Sequence, residues 1–272
     1  MSCFYREAGP ADAPVVVLPH GYPCSSYAYR SFMPALADGW RLLAPDFPGS
    51  GYSDTAPAFR HDFDGYAEFL ERFLDHAGVE RFALYLHDFG SQIGLRLAMR
   101  APERITALII QNGDIYEDQL GPKYEPLRRY FRDPTSQARA ELAAAISLAG
   151  FEDEFLNGVR PSHAPTIPPD LWQLHWSLMT DQRRAIALRV IEGLKDNLTW
   201  FPRYQRYLRE RKPPTLIVWG IRDGYMPEGA ARAYRRDLPN AELHLIDGGH
   251  WLLETHLDEV VAHVRAFLGR PS

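Results

Sequence analysis

The chain has 272 residues, 46% of them hydrophobic, with two cysteines and a formal charge of −5. That length suits one large α/β domain or a core with one insertion, and no apolar run approaches the ~20 residues of a membrane span. The acidic balance gives no electrostatic case for nucleic acid or an anionic membrane, and Cys3 and Cys24 are too few for a disulfide framework, in keeping with a reducing cytoplasm.

The opening residues, Met1 to Glu7, lack the apolar core of a secretory signal. Pro14–Leu18 is a continuous apolar strand, the kind buried on both faces of a parallel sheet, and it runs into His20-Gly21-Tyr22-Pro23. A helix is expected over 25–37 and a second strand over 41–46. That strand opens onto the turn-rich Phe47-Pro48-Gly49-Ser50-Gly51-Tyr52-Ser53-Asp54. Tyr66, Phe69, Leu70, Phe73, Leu74 and Ala77 fall on one helical face, and Gly78 suits the stop. Phe82–Leu86 reads as a buried strand and Gly94–Met99 as part of a helix, with almost no room to turn between them. A further strand spans 105–111.

The rhythm then breaks. From about 115 to 211 no strand is legible, but helical patterns are: Leu171, Leu174 and Leu178 share a face flanked by Trp172 and Trp176. Strands resume at 214–220 and 242–246. A last helix is expected with a capping box from Thr255 to Asp258, an apolar face through Val260, Val264 and Phe267, and stops at Gly269 and Pro271. This predicts an α/β fold, a mostly parallel sheet with helices on both faces, whose discontinuous core (1–114 and 212–272) is interrupted by a helical cap over 115–211.

The abrupt strand-to-helix turn describes a nucleophile elbow with Asp88 at its apex. Ser91 lies past the apex and is no substitute. A carboxylate there can displace a leaving group from carbon, leaving an alkyl ester for water to hydrolyse. The competing reading is that Asp88 merely caps the helix. Ligands of open parallel sheets bind beyond the carboxyl ends of the strands. The loops at those ends carry His20, Asp46, Asp88, Asn112-Gly113-Asp114, Asp223 and His250. An ester needs a base for its water and a second carboxylate to orient the base. His250, in Asp247-Gly248-Gly249-His250-Trp251, and Asp223 supply these in the chain order nucleophile, acid, base. Asp223-Gly224 is also a common turn dipeptide, and His250 could be a plain loop histidine. His20, beside a Gly-Pro turn, suits pinning that loop. The backbone N–H groups of Phe89 and Tyr22 would form an oxyanion hole.

Taken together, HGYP at 20–23, DFPGSGYSD at 46–54, HDFG at 87–90, WGIRD at 219–223 and GGHW at 248–251 resemble the α/β-hydrolases of the epoxide hydrolase and haloalkane dehalogenase branch. The resemblance implies Asp88 as nucleophile, His250 as base and Asp223 as orienting acid, with Asp114 an alternative acid because it follows the strand where some dehalogenases place theirs. It calls for no metal or cofactor. It further implies a substrate site that includes His20, Asn112, Tyr116, Trp176, Tyr204 and Trp251. Three departures weigh against a dehalogenase. Phe89 has no indole N–H to bind halide where Trp is common, and Tyr22 stands where dehalogenases often have Asn. Fluoroacetate dehalogenases have Arg, not Phe, after the nucleophile. The chain also starts close to its first recognisable strand, which leaves open whether the branch's usual first strand is present.

Epoxide hydrolases use cap tyrosines to protonate the opened oxygen. The candidates here are Tyr116, Tyr124, Tyr130, Tyr204 and Tyr207, with Tyr204 first. The resulting expectation is a cytoplasmic, monomeric or homodimeric epoxide hydrolase acting on a small apolar substrate with water. The alternatives are a haloalkane or haloacid dehalogenase and a catalytically silent binding protein on the same fold.

Overall fold

The computed structural model describes residues 1–269, so the expected stop at Pro271 lies outside the described residues. Seven strands form one sheet in the order β1-β3-β2-β4-β5-β6-β7. They are β1 (Tyr5–Ala8), β2 (Val15–Val17), β3 (Arg41–Pro45), β4 (Phe82–His87), β5 (Ile105–Gln111), β6 (Thr215–Gly220) and β7 (Glu242–Ile246). All pairings are parallel except β1 with β3. Strand β1 escaped the sequence reading because it is a four-residue edge strand with half of its residues exposed. Every residue of β4 and β6 is buried, the mark of strands covered on both faces.

Between the strands lie α1 (Phe32–Leu36), α2 (Phe63–His76) and α3 (Phe89–Arg100). The connection from β2 to β3 crosses the sheet one way and that from β3 to β4 the other. Right-handed crossovers therefore place α1 and α2 on opposite faces. Helix α2 is capped by Asp62, whose carboxylate accepts the Gly65 N–H at 2.7 Å. The single helix expected over 25–37 is instead a 3₁₀ turn, Ser26–Tyr29, followed by the short α1. The Ser26 N–H is drawn out of any helical ladder by Asp46 at 2.7 Å, and the Tyr29 hydroxyl donates to the Pro19 carbonyl.

The stretch between β5 and β6 holds α4 (Glu125–Arg132), α5 (Ser136–Ala145), α6 (Leu148–Phe155), α7 (Asp170–Ser177), α8 (Asp181–Glu192), α9 (Leu194–Leu198) and α10 (Phe201–Arg211), with no strand. It is tied to the core through buried Arg96 of α3. That guanidinium pairs with Asp64, donates to the Tyr204 hydroxyl and to Asn197, and lies 4.0 Å from the Trp200 ring centroid. Helix α11 (Glu228–Ala233) links β6 to β7, and α12 (Leu252–Thr255) and α13 (Leu257–Leu268) close the chain. The expected capping box is absent. Thr255 is the last residue of α12, its hydroxyl meets the His256 ring at 2.8 Å, and α13 starts without a side-chain cap. The chain makes the extra helix to bury Leu252 and Leu253 directly after Trp251.

Candidate active site

Asp88 stands between β4 and α3 with φ +50° and ψ −134°. A non-glycine residue held there costs of order 1–3 kcal/mol, which the surroundings must over-determine. They do so with a hydrogen bond from the Asp88 N–H to the Asn112 carbonyl and another from the Ser91 N–H to the Asp88 carbonyl. The carboxylate makes no capping bond to α3, which removes the helix-cap reading. Because β2 is the neighbour of β4, the loop after β2 meets the apex directly. The Tyr22 N–H donates to Asp88 Oδ1 at 2.7 Å, and the Phe89 N–H, next in the chain, lies close to the same carboxylate. A side chain at Gly21 would collide with that carboxylate, since its Cβ would lie 2.2 Å from Oδ1. Only glycine lets the two loops come this close.

His250 must reach back from β7 across β6 and β5. Its loop folds over the end of β6 because Gly249 approaches closely there: a Cβ on Gly220 would sit 2.0 Å from the Gly249 carbonyl oxygen. The His250 carbonyl is held by His87 Nε2 at 3.1 Å and by Gln111 Nε2 at 3.2 Å, groups from the ends of β4 and β5. Its ring Nδ1 bonds Asp223 Oδ2 at 2.6 Å, and its Nε2 faces Asp88 Oδ2 at 3.7 Å, beyond hydrogen-bond length. The structure thus brings Asp88, His250, Asp223, Tyr22 and Phe89 together.

Asp223 is fully satisfied. Asn112 donates to Oδ2 at 2.9 Å, while Asn157 and the Tyr225 N–H donate to Oδ1 at 2.9 and 2.8 Å. The turn reading of Asp223 is therefore also true, and compatible with its contact to His250. Burial works against its charge, but His250 and these donors hold it at about 2. Burial likewise disfavours a charged His250, yet Asp223 above all, then Asp88, push it up to about 9. Asp88 itself is raised by burial, against the opposing pull of His250.

The alternative acid does not reach the base. Asp114 is buried with Oδ1 accepting from Gln92 at 3.2 Å, and burial followed by the charge of Asp88 raises it to about 7. Of the expected substrate residues, His20 lines the cavity beside the elbow while its Nε2 accepts the Phe47 N–H. The others have different partners. Asn112 is consumed by Asp223 and by both polar groups of Gly220. Tyr116 donates to Asp237 and packs on Tyr234. Tyr204 is sealed into the Arg96 network. Trp176 meets Phe151 edge-on without lining the cavity, and Trp251 is a support for His87 and His250, its indole donating to the Glu154 carbonyl.

That cavity is partly open to solvent and has about 70 Å³ of free internal volume. Its walls are largely apolar: Tyr22, Phe47, Phe89, Phe151, Ile186 and Val190. Four contributors went unread in the sequence. His87 supports His250; Asn157 braces Asp223; Glu154 and Tyr225 are buried or half-buried near Asp88. Asn157-Gly158 looks like any turn dipeptide, and only the fold brings it to Asp223. Among the described residues there is no cluster suited to a metal ion and no helix long and apolar enough to cross a membrane.

A family model described as alpha/beta hydrolase fold matches residues 14–257. An uncharacterized hydrolase of Saccharomyces cerevisiae is 33% identical over 268 residues, covering 96% of this chain and 91% of that protein. Haloalkane dehalogenase 2 of Mycobacterium tuberculosis is 27% identical, covering 92% of this chain and 86% of the relative. The crystal structure of haloalkane dehalogenase DbeA from Bradyrhizobium elkani superposes with a TM-score of 0.77 at 22% identity, covering 98% of this chain and 94% of that one.

Proposed function

The chain belongs to the α/β hydrolase fold family, and from that premise we propose that it hydrolyses epoxides to diols through a covalent ester on Asp88. One observation carries the reading: the two oxygens of Asp88 face different partners. Oδ1 accepts from the Tyr22 N–H, and Oδ2 faces His250. Oδ2 is free to attack carbon. Oδ1 then remains the ester carbonyl oxygen, already seated where negative charge develops when water adds to Cγ. His250 deprotonates that water and Asp223 stabilises the imidazolium. Residues 115–211 act as the cap over a core of 1–114 and 212–272.

Epoxides are favoured over haloalkanes by the donors present. Phe89 offers no side-chain N–H for a leaving halide, whereas the hydroxyls of Tyr22, Tyr124 and Tyr225 all lie within electrostatic reach of Asp88. A haloalkane dehalogenase by the same first step is the second reading, supported by the named relatives. Trapping the ester tests both. His250→Gln should still react and then stall, leaving a protein heavier by the whole epoxide, or by the alkyl group of a haloalkane. Peptide mapping should place the addition at Asp88, and Asp88→Ala should abolish it. An unmodified His250→Gln, with a wild type that turns substrate over, would overturn the ester mechanism.

A further inference from the structure

The largely apolar wall of the cavity beside the elbow carries one permanent cation among the described residues, Arg183 of α8. The two histidines of that wall, His20 and His175, are held below their ordinary range by burial, so neither adds a second charge. The Arg183 guanidinium is bonded to neutral acceptors. Nη1 donates to the carbonyls of Gly51 at 2.7 Å and Leu178 at 3.2 Å, Nη2 to that of Ser53 at 2.8 Å, and Nε to the Thr55 hydroxyl at 3.3 Å. Gly51 and Leu178 themselves line the cavity, which puts the head of the side chain at the wall along with its stem. These bonds use four of the five guanidinium N–H groups and leave one on Nη2. The carboxylates nearby are engaged elsewhere: Asp181 pairs with Arg184, Asp54 accepts the Ser2 N–H at 2.6 Å, and Asp46 accepts the N–H groups of Ser26 and Tyr52 at 2.7 and 2.8 Å. Asp46 therefore acts on Arg183 through space alone, and burial lowers the guanidinium from its usual value without discharging it.

We propose that Arg183 is a carboxylate subsite, and that the substrate is an apolar chain with its reacting carbon toward Asp88 and a carboxylate against α8. The identity of the reacting group rests on the epoxide reading above, whereas the subsite concerns the cavity itself. A guanidinium drawn partly out of water without an anion is completed by an anion that arrives with the ligand. One uncompensated charge and one spare N–H suit a monoanion bound through a single oxygen, and a phosphate dianion would bring a second charge with no partner on this wall. The same bonds also strap α8 to the loop after β3. A strap accounts for the carbonyl contacts, but it does not require the one permanent cation of an apolar cavity to stand on its wall.

Two measurements test the subsite. The first needs no reaction: titration calorimetry of the purified protein with short alkanoates and with the alkanols of the same chain length. Wild type should bind the alkanoate at least ~10-fold more tightly, with a preference that shrinks as salt is added. Arg183→Gln should remove the preference, and Arg183→Lys, which keeps the charge and loses the fork, should retain part of it. The second measurement compares kcat/KM for ω-epoxyalkanoates and for their methyl esters. The acid-to-ester ratio should fall at least ~10-fold in Arg183→Gln. Loss of the strap would lower both substrates alike, and the ratio is blind to that. A wild type that binds alkanol as tightly as alkanoate would overturn the subsite, and so would an Arg183→Gln variant that keeps the preference. If the alkanoate preference depends on Arg183 but neither acid nor ester is turned over, the subsite stands and the epoxide reading fails.

Discussion

Among single residues, the choice of acid turns on one distance and one absence. Asp223 is 2.6 Å from His250 Nδ1, whereas Asp114 has no bond to that ring. Asp223→Asn should therefore lower turnover by roughly 10³–10⁴-fold, as loss of an orienting carboxylate does elsewhere. Asp114→Asn should leave the decay of the ester little changed, and near-normal turnover in Asp223→Asn would refute the assignment. The pH dependence follows from the same contacts. In the resting enzyme His250 sits at about 9, opposed by burial and raised by Asp223 and then by the Asp88 charge. Esterification removes that charge, so the folded-state value must fall. Because the base works unprotonated, ester hydrolysis should rise with pH to a plateau whose midpoint lies below 9, measured as adduct decay against pH. A midpoint at or above that value would mean Asp88 does not contribute.

Asn157, just past α6, works at the scale of elements. Its amide holds Asp223 and the Gly224 N–H, and its carbonyl accepts the His250 N–H at 3.1 Å. At this end the inserted segment is a brace for Asp223 and His250 rather than a loose flap. Asn157→Leu leaves a buried Asp223 oxygen short of a donor, at about 1–3 kcal/mol. We expect kcat to fall ~10-fold or more with KM little changed, checked by steady-state kinetics on an epoxide. Most elements were legible in the sequence because their periodicity reports burial: β5 and β7 fall at the expected residues, and β4 overruns by His87 alone. What was missed depends on tertiary contact. Tyr204 and Tyr116 are tyrosines of the insertion like Tyr124, and nothing local says that Arg96 and Asp237 claim their hydroxyls. The edge strand β1 and the break after Ser25 likewise take their form from neighbours.

For the whole molecule, parallel pairing aligns every strand end that matters on one edge, which is why loop residues far apart in the chain could be grouped before any coordinates. On the proposed function, the substrate's apolar part would sit in the cavity between that edge and α6 to α8. Filling it with Val190→Trp should lower kcat/KM for long-chain epoxides relative to short ones by roughly 10-fold or more. Equal losses for both lengths would show that the cavity is not used. The insertion also has a consequence for how the protein is made. Asp88 and Tyr22 leave the ribosome early, but β5 cannot meet β6 until the roughly 100 residues between Gln111 and Thr215 have followed, a loop whose closure costs roughly 4 kcal/mol of chain entropy. Through that interval Ile-Thr-Ala-Leu-Ile-Ile-Gln stands as an unpaired apolar edge, the kind of segment that pairs with other chains. The insertion between β5 and β6 thus leaves that edge of the nascent sheet open to other chains until β6, close to the C-terminus, has been synthesised.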